Sequence, residues 1–248
     1  DNELWIGTES GAYIYNLRTG KYTHLRSSEY DPYSLSDNAI YSFCKDREDG
    51  IWIGSYFGGV NYYPRSYTHF EKYYPKGEEN SLHGKRVREF CRDNYGVLWI
   101  GTEDGGLNRF NLNTKEFSFF APSAGFTNIH GLCLVDDKLW VGTFSKGLKI
   151  IDTRTGTVLK TYQKNSSPRS LIDNSIFAIC RTATGDIYLG TMFGLVKYNK
   201  QSDDFDRIPE LNGKFVYDIK EDSGGNIWLA TYANGAYCYT VNDRKWKN

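Results

Sequence analysis

The chain has 248 residues, with 30 lysines and arginines against 30 aspartates and glutamates, and a formal net charge of zero. That balance argues against a dedicated nucleic-acid binder, which carries a basic excess on one face, and gives no reason to expect direct membrane contact. No apolar run approaches the roughly 18 residues of a membrane span. No charged-then-apolar leader precedes the first motif, so the chain reads as a segment of something longer. The 25 glycines, 20 tyrosines, 14 phenylalanines and 6 tryptophans suit pleated, half-buried strands joined by tight turns.

In chain order, one phrase returns six times: Leu4-Trp5-Ile6-Gly7-Thr8, Ile51-Trp52-Ile53-Gly54-Ser55, Leu98-Trp99-Ile100-Gly101-Thr102, Leu139-Trp140-Val141-Gly142-Thr143, Ile187-Tyr188-Leu189-Gly190-Thr191 and Ile227-Trp228-Leu229-Ala230-Thr231. The aromatic position advances by 47, 47, 41, 48 and 40 residues, a period that marks a repeat array. The second repeat shows the unit. Asn38 to Asp46 alternates as a strand, Asp46 to Gly50 is a hairpin turn, and Gly50 to Ser55 is the second strand. Gly59 to Tyr63 is the third and His69 to Tyr74 the fourth. Later first strands begin near Val87, Ile129, Ile176 and Val216, and third strands at Gly11, Gly106, Gly147, Gly194 and Gly235. Four antiparallel strands in about 40–50 residues make a propeller blade.

The expected fold is therefore all-β: a β-propeller, or a fragment of one, in six blades of four antiparallel strands. The blades fall at about 1–26, 38–74, 85–120, 127–162, 174–208 and 215–248. The first lacks its first strand, and the last has a short fourth one around Lys245-Trp246-Lys247. Either the ring closes with six blades or it belongs to a larger, seven-bladed one. The tryptophans are expected to fill the gaps between blades, with the small residue two positions later relieving crowding. Cys44, Cys91, Cys133 and Cys180 recur at one place in the repeat and are expected as buried free thiols. No Cys-x-x-Cys pair suggests zinc, and no cofactor is called for.

The combined pattern resembles the two-component regulator propeller repeat. Ser34-Leu35-Ser36-Asp37-Asn38-Ala39-Ile40 and Ser170-Leu171-Ile172-Asp173-Asn174-Ser175-Ile176 match its opening motif, and Ser81 to Val87 matches with Lys85 in the asparagine's place. Thr102 to Leu107 fits the second turn. The resemblance implies the periplasmic sensor region of a hybrid two-component histidine kinase of Bacteroidetes type. In such receptors two propellers precede a β-sandwich, a membrane helix, the kinase and often a DNA-binding domain. It implies a homodimeric receptor with adjoining propeller and sandwich domains, responding to glycan breakdown products. Kinase chemistry lies outside this segment.

In a blade, the second-to-third turn and the connection between blades emerge on one face. The turns supply Tyr56, Phe57, Phe144, Phe193 and Tyr232, aromatic where a plain hairpin prefers Asn, Asp or Gly. The connections add Lys85, Arg86, Asn128 and His130. Flat rings beside planar polar groups suit an oligosaccharide, with C–H faces on the rings and hydroxyls on the polar partners. The same aromatics would equally serve contact with another domain, or loop packing. Asn38 and Asn174 are expected to bond nearby backbone. A structural or dimer-forming propeller without a small ligand is the main rival. A metal-dependent lyase of streptogramin type would need His83 and His130, since His24 and His69 fall on outer strands.

Overall fold

A computed structural model describes residues 2–65, 71–77, 79–120 and 125–248. The chain divides into two compact units, Asp1–Gly77 and Glu78–Asn248.

The first unit holds two sheets. One is β1 (Glu3–Thr8), β2 (Gly11–Asn16) and β3 (Tyr22–Leu25), and the other is β4 (Ile40–Lys45), β5 (Ile51–Ser55) and β6 (Val60–Tyr63). The second unit holds four sheets of four strands: β7 (Val87–Arg92) to β10 (Phe117–Phe120), through β8 (Val97–Thr102) and β9 (Gly106–Asn111); β11 (Ile129–Val135), β12 (Lys138–Thr143), β13 (Leu148–Asp152) and β14 (Val158–Tyr162); β15 (Ile176–Arg181), β16 (Ile187–Thr191), β17 (Gly194–Asn199) and β18 (Asp204–Arg207); and β19 (Val216–Glu221), β20 (Ile227–Thr231), β21 (Ala236–Thr240) and β22 (Lys245–Lys247). Every pairing is antiparallel between consecutive strands, and these are blades of a β-propeller. The one helix among the described residues is a single 3-10 turn, Pro209–Leu211.

Among the described residues the first sheet has three strands, in the order β1-β2-β3. The fourth strand expected at His69 to Tyr74 is not found: His69 and Phe70 lie outside the described residues, and Glu71–Tyr74 is not in a strand. Side chains hold this segment instead. The Tyr74 ring meets Tyr33 edge-on at 5.7 Å, and the Lys72 ammonium lies 3.9 Å from the Tyr33 ring centre.

One seam recurs between successive sheets. The aliphatic residue that opens a first strand packs on the glycine of the preceding sheet's Trp-Ile-Gly phrase. A Cβ on Gly101 would lie 2.6 Å from Ile129 Cγ2, one on Gly142 2.7 Å from Ile176 Cγ2, and one on Gly190 2.8 Å from Val216 Cγ1. Ile129, Ile176 and Val216 are fully buried, and each such side chain contributes about 1.5–3 kcal/mol relative to exposure.

The tryptophans fill the gaps where a sheet follows. Trp99, Trp140 and Tyr188 are 0%, 5% and 7% exposed, whereas Trp52 and Trp228, each in the last sheet of its unit, are 45% and 48% exposed. The turn aspartates also latch these rings. Asp93 accepts the Tyr95 and Val97 N–H groups and, at 2.9 Å, the Trp99 indole N–H. Asp46 and Asp222 hold Trp52 and Trp228 in the same way.

The cysteines stand directly across the ladder from the aromatic: Cys44 opposite Trp52, Cys91 opposite Trp99, Cys133 opposite Trp140 and Cys180 opposite Tyr188. All five are free thiols. The expectation of burial needs correcting: Cys91, Cys133 and Cys180 are half-buried and Cys44 is exposed. Cys44 shares its sheet with exposed Trp52, and no later sheet of that unit covers it.

Candidate functional site

The side chains that matter are displaced by a one-residue irregularity in every complete first strand. The ladder between first and second strands slips immediately after the opening aliphatic, between Ile40 and Ser42, Val87 and Glu89, Ile129 and Gly131, Ile176 and Ala178, and Val216 and Asp218. A bulge leaves its extra residue out of the pairing and re-aims its side chain. The residues so freed are Tyr41, Arg88, His130, Phe177 and Tyr217.

In the second unit the strands β7, β11, β15 and β19 lie side by side in that order, and their four bulge residues meet. Arg88 Nη1 donates to the Tyr217 hydroxyl at 3.0 Å, and its guanidinium carbon lies 5.3 Å from that ring. Tyr217 stacks on Phe177 at 5.9 Å, and Phe177 takes the His130 ring edge-on at 4.7 Å.

Loop residues extend this cluster. Phe144 lies 6.0 Å from His130 and 5.9 Å from Phe177. Phe215 packs on Phe177 at 4.4 Å and carries Tyr232 at 5.7 Å. Asn128 adopts a left-handed φ of 52°, which an asparagine tolerates. Its Oδ1 sits 2.6 Å from His130 Nε2, so His130 donates from Nε2. His130 Nδ1 is then a buried acceptor with no partner among the described residues. Burial, and secondarily the Arg88 charge, hold the His130 pKa below its ordinary 6.5, and the ring is neutral at pH 7. Glu103 lies between two arginines, 3.4 Å from Arg88 and 3.8 Å from Arg86.

Of the residues singled out from sequence, Arg86, Asn128, His130, Phe144 and Tyr232 thus gather around one cluster. Lys85 and Phe193 do not join it. Lys85 gives its backbone N–H to Asp104 at 2.9 Å while its side chain is exposed, and Phe193 is 52% exposed with no ring partner among the described residues. Tyr56 and Phe57 form a separate group in the first unit. They meet edge-on at 4.3 Å, and the bulge residue Tyr41 packs on Tyr56 at 5.3 Å. Sequence reasoning missed Arg88, Phe177, Phe215 and Tyr217. The available signal was the position after each opening aliphatic, where the copies read Tyr, Arg, His, Phe and Tyr.

Arg88, Phe177 and Tyr217 of the cluster also line an open cavity of about 560 Å³, together with Glu89, Asp218 and Lys220. Lys220 pairs with Asp218 at 3.3 Å. Burial pushes the Glu89 carboxyl above its ordinary pKa, opposed by the Lys220 charge.

Asn38 and Asn174 are structural as expected: their Oδ1 atoms accept the Ser27 and Lys164 N–H groups at 2.8 and 2.7 Å. The histidines stand apart. His24, on β3, stacks on Tyr13 at 3.9 Å, and His83 stacks on Phe119 of β10 at 3.6 Å, while His69 lies outside the described residues. Among the described residues no three or more His, Cys, Asp and Glu side chains are grouped to hold a metal.

The class defined by these sheets is a propeller with a cluster of polar and aromatic side chains on its first strands. The two-component regulator propeller model matches residues 34–57, 81–104 and 210–233, so these three segments are similar to that family's repeat. The extracellular domain of BT3049 from B. thetaiotaomicron, assigned to a hybrid two component system, has a similar fold, with a TM-score of 0.55 and 24% identity, covering 100% of this chain and 39% of that one. PorZ of Porphyromonas gingivalis, a surface component of the type-IX secretion system, matches with a TM-score of 0.58 and 16% identity over 99% of this chain and 39% of its own. Virginiamycin B lyase from Staphylococcus aureus matches with a TM-score of 0.51 and 12% identity over 99% of this chain and 79% of its own. The chain thus spans about two-fifths of the length of BT3049's extracellular domain and of PorZ. Three unlike activities on one fold mean that function must be argued from the site. No curated protein matches the chain.

Proposed function

We propose that this chain is part of the extracytoplasmic sensor of a hybrid two-component histidine kinase, and that the cluster in its second unit binds a glycan-derived oligosaccharide. The observation that carries the reading is one group of rings, the exposed Tyr217, Phe144 and Tyr232 around buried His130 and Phe177, bordered by Arg88 and Glu103. A pyranose presents a C–H face to such rings and pairs of hydroxyls to guanidinium and carboxylate groups. The kinase, the adjoining propeller and sandwich domains, the homodimer and the periplasmic setting all belong to this proposal and rest on the similarity of the three matched segments to the two-component regulator propeller repeat.

The test is a thermal-shift and calorimetric screen of the intact extracytoplasmic region against defined oligosaccharides. A ligand that binds only the native state raises the melting temperature. Tyr217→Ala and Tyr232→Ala should abolish the shift while leaving the unliganded protein folded. A null result across neutral, acidic and sulfated panels refutes the sugar reading.

One observation favours a second role in the first unit. Phe57 is 87% exposed beside Tyr56, which suits contact with another protein domain. Phe57→Ala would then impair signalling in the intact receptor without changing ligand affinity.

A further inference from the structure

We infer that the cavity of the second unit selects uncharged sugars over acidic ones, and that Glu89 enforces the choice. The inference rests on the reading of this site as a sugar site and deepens it to a ligand class.

The charged groups in and around the cavity are Arg86, Arg88, Lys220, Glu89, Asp218 and Glu103. Each cation faces a carboxylate, Arg86 facing Glu103 at 3.8 Å. Arg88 is held by the Tyr217 hydroxyl at 3.0 Å and by Glu103 at 3.4 Å, and its side chain is only 25% exposed. Lys220 pairs with Asp218 at 3.3 Å, an exposed pair that a ligand could open at little cost. Glu89 differs from the others. It lines the cavity, it is half-buried, and it makes no hydrogen bond or ion pair among the described residues. Its nearest electrostatic partners are Lys220, Asp218 and Arg88.

A half-buried carboxylate with no protein partner accepts hydrogen bonds from donors that a ligand brings. Sugar hydroxyls are donors. A uronate or sulfate group offers only acceptors and brings a second negative charge beside Glu89. Like charges placed together at an interface are a repulsive element that excludes the wrong ligand. The ring of Tyr217 beside Glu89 is where the ligand's C–H face would rest, which brings its hydroxyls toward the carboxylate.

Calorimetry on the intact extracytoplasmic region tests this with xylotetraose, cellotetraose and arabinotetraose against tetragalacturonate and a chondroitin sulfate tetrasaccharide, for wild type and for Glu89→Gln. The amide keeps the size and one acceptor oxygen, removes the charge and turns the other acceptor into a donor. The expected result is that the best neutral probe binds wild type at least about tenfold tighter than either acidic probe, a difference of about 1.4 kcal/mol. Glu89→Gln should narrow that ratio to about threefold or less, with an unchanged melting temperature for the unliganded variant. Acidic probes binding wild type as well as neutral ones, or an unchanged ratio in the variant, would overturn the selectivity and leave the sugar site standing. No binding of any probe would overturn both.

Discussion

Gly142→Ala tests the seam that builds the second unit. The added Cβ would sit 2.7 Å from Ile176 Cγ2, 3.1 Å from its Cβ and 3.3 Å from its carbonyl oxygen. Non-bonded carbons rest at about 3.5–4.0 Å, so Ile176 must retreat by roughly an ångström. It has nowhere to go, being fully buried within the cluster that contains Trp140, Leu148, Leu189 and Phe205. Overpacking of this kind costs about 1–3 kcal/mol. For a unit of this size each kcal/mol lowers the melting temperature by about 2–4 °C, so a fall of roughly 2–12 °C is expected. Chemical denaturation followed by tryptophan fluorescence gives the same quantity independently. Ile176→Ala removes the clashing methyl, so it should cost less in the Gly142→Ala background than alone, by about 1 kcal/mol or more. The natural control is Ala230, which holds the same repeat position in β20 and is exposed. Full additivity of the pair, or a Gly142→Ala variant as stable as wild type, would refute the seam.

Three further outcomes are expected. Hydrogen bonds from Lys160, then from Tyr162 at 2.5 Å and Tyr198 at 2.6 Å, hold the Asp203 carboxyl down at about 2 against an ordinary 3.8. Its contribution is therefore present above pH 3.8 and lost as pH falls through about 2; in urea titrations at successive pH values, Asp203→Asn should flatten stability across that window. His130, with its pKa held below 6.5, stays neutral when folded while the unfolded chain takes up a proton. Stability should fall as pH drops below 6.5, and His130→Gln should reduce that loss in the same titration between pH 8 and 5. Thiol labelling at pH 8, read by mass spectrometry, should modify exposed Cys44 first. Cys91 and Cys180, whose pKa values burial pushes up to about 11, should react mainly after unfolding; equal rates at all three would refute the assigned burial.

The scaffold was legible in the sequence because the repeat states it several times over. Strand starts at Val87, Ile129, Ile176 and Val216 coincide with the observed β7, β11, β15 and β19, and the tryptophans fill gaps wherever a sheet of the same unit follows. The cluster was not legible, because strict alternation along a strand assigns each side chain to one of two faces. A bulge breaks that rule by one residue. The turns after the Trp-Ile-Gly phrase supply Phe144 and Tyr232 to the cluster, while Arg88, Phe177 and Tyr217 sit next to the most regular position in the repeat. The segment Glu71–Tyr74 misled for a related reason. Its alternation resembles a strand, but Lys72 and Tyr74 are committed to Tyr33 through their side chains.

The bulge also separates two kinds of inheritance within each blade. Ile129, Ile176 and Val216 are tied to a neighbour's glycine, so a change there must be matched in another repeat. The residue that follows owes nothing to the ladder or to the seam. Arg, His, Phe and Tyr all occupy it in one unit at the same slip of the ladder. The frame can therefore duplicate unchanged while the chemistry is set at one position per blade, where the side chains of neighbouring blades meet.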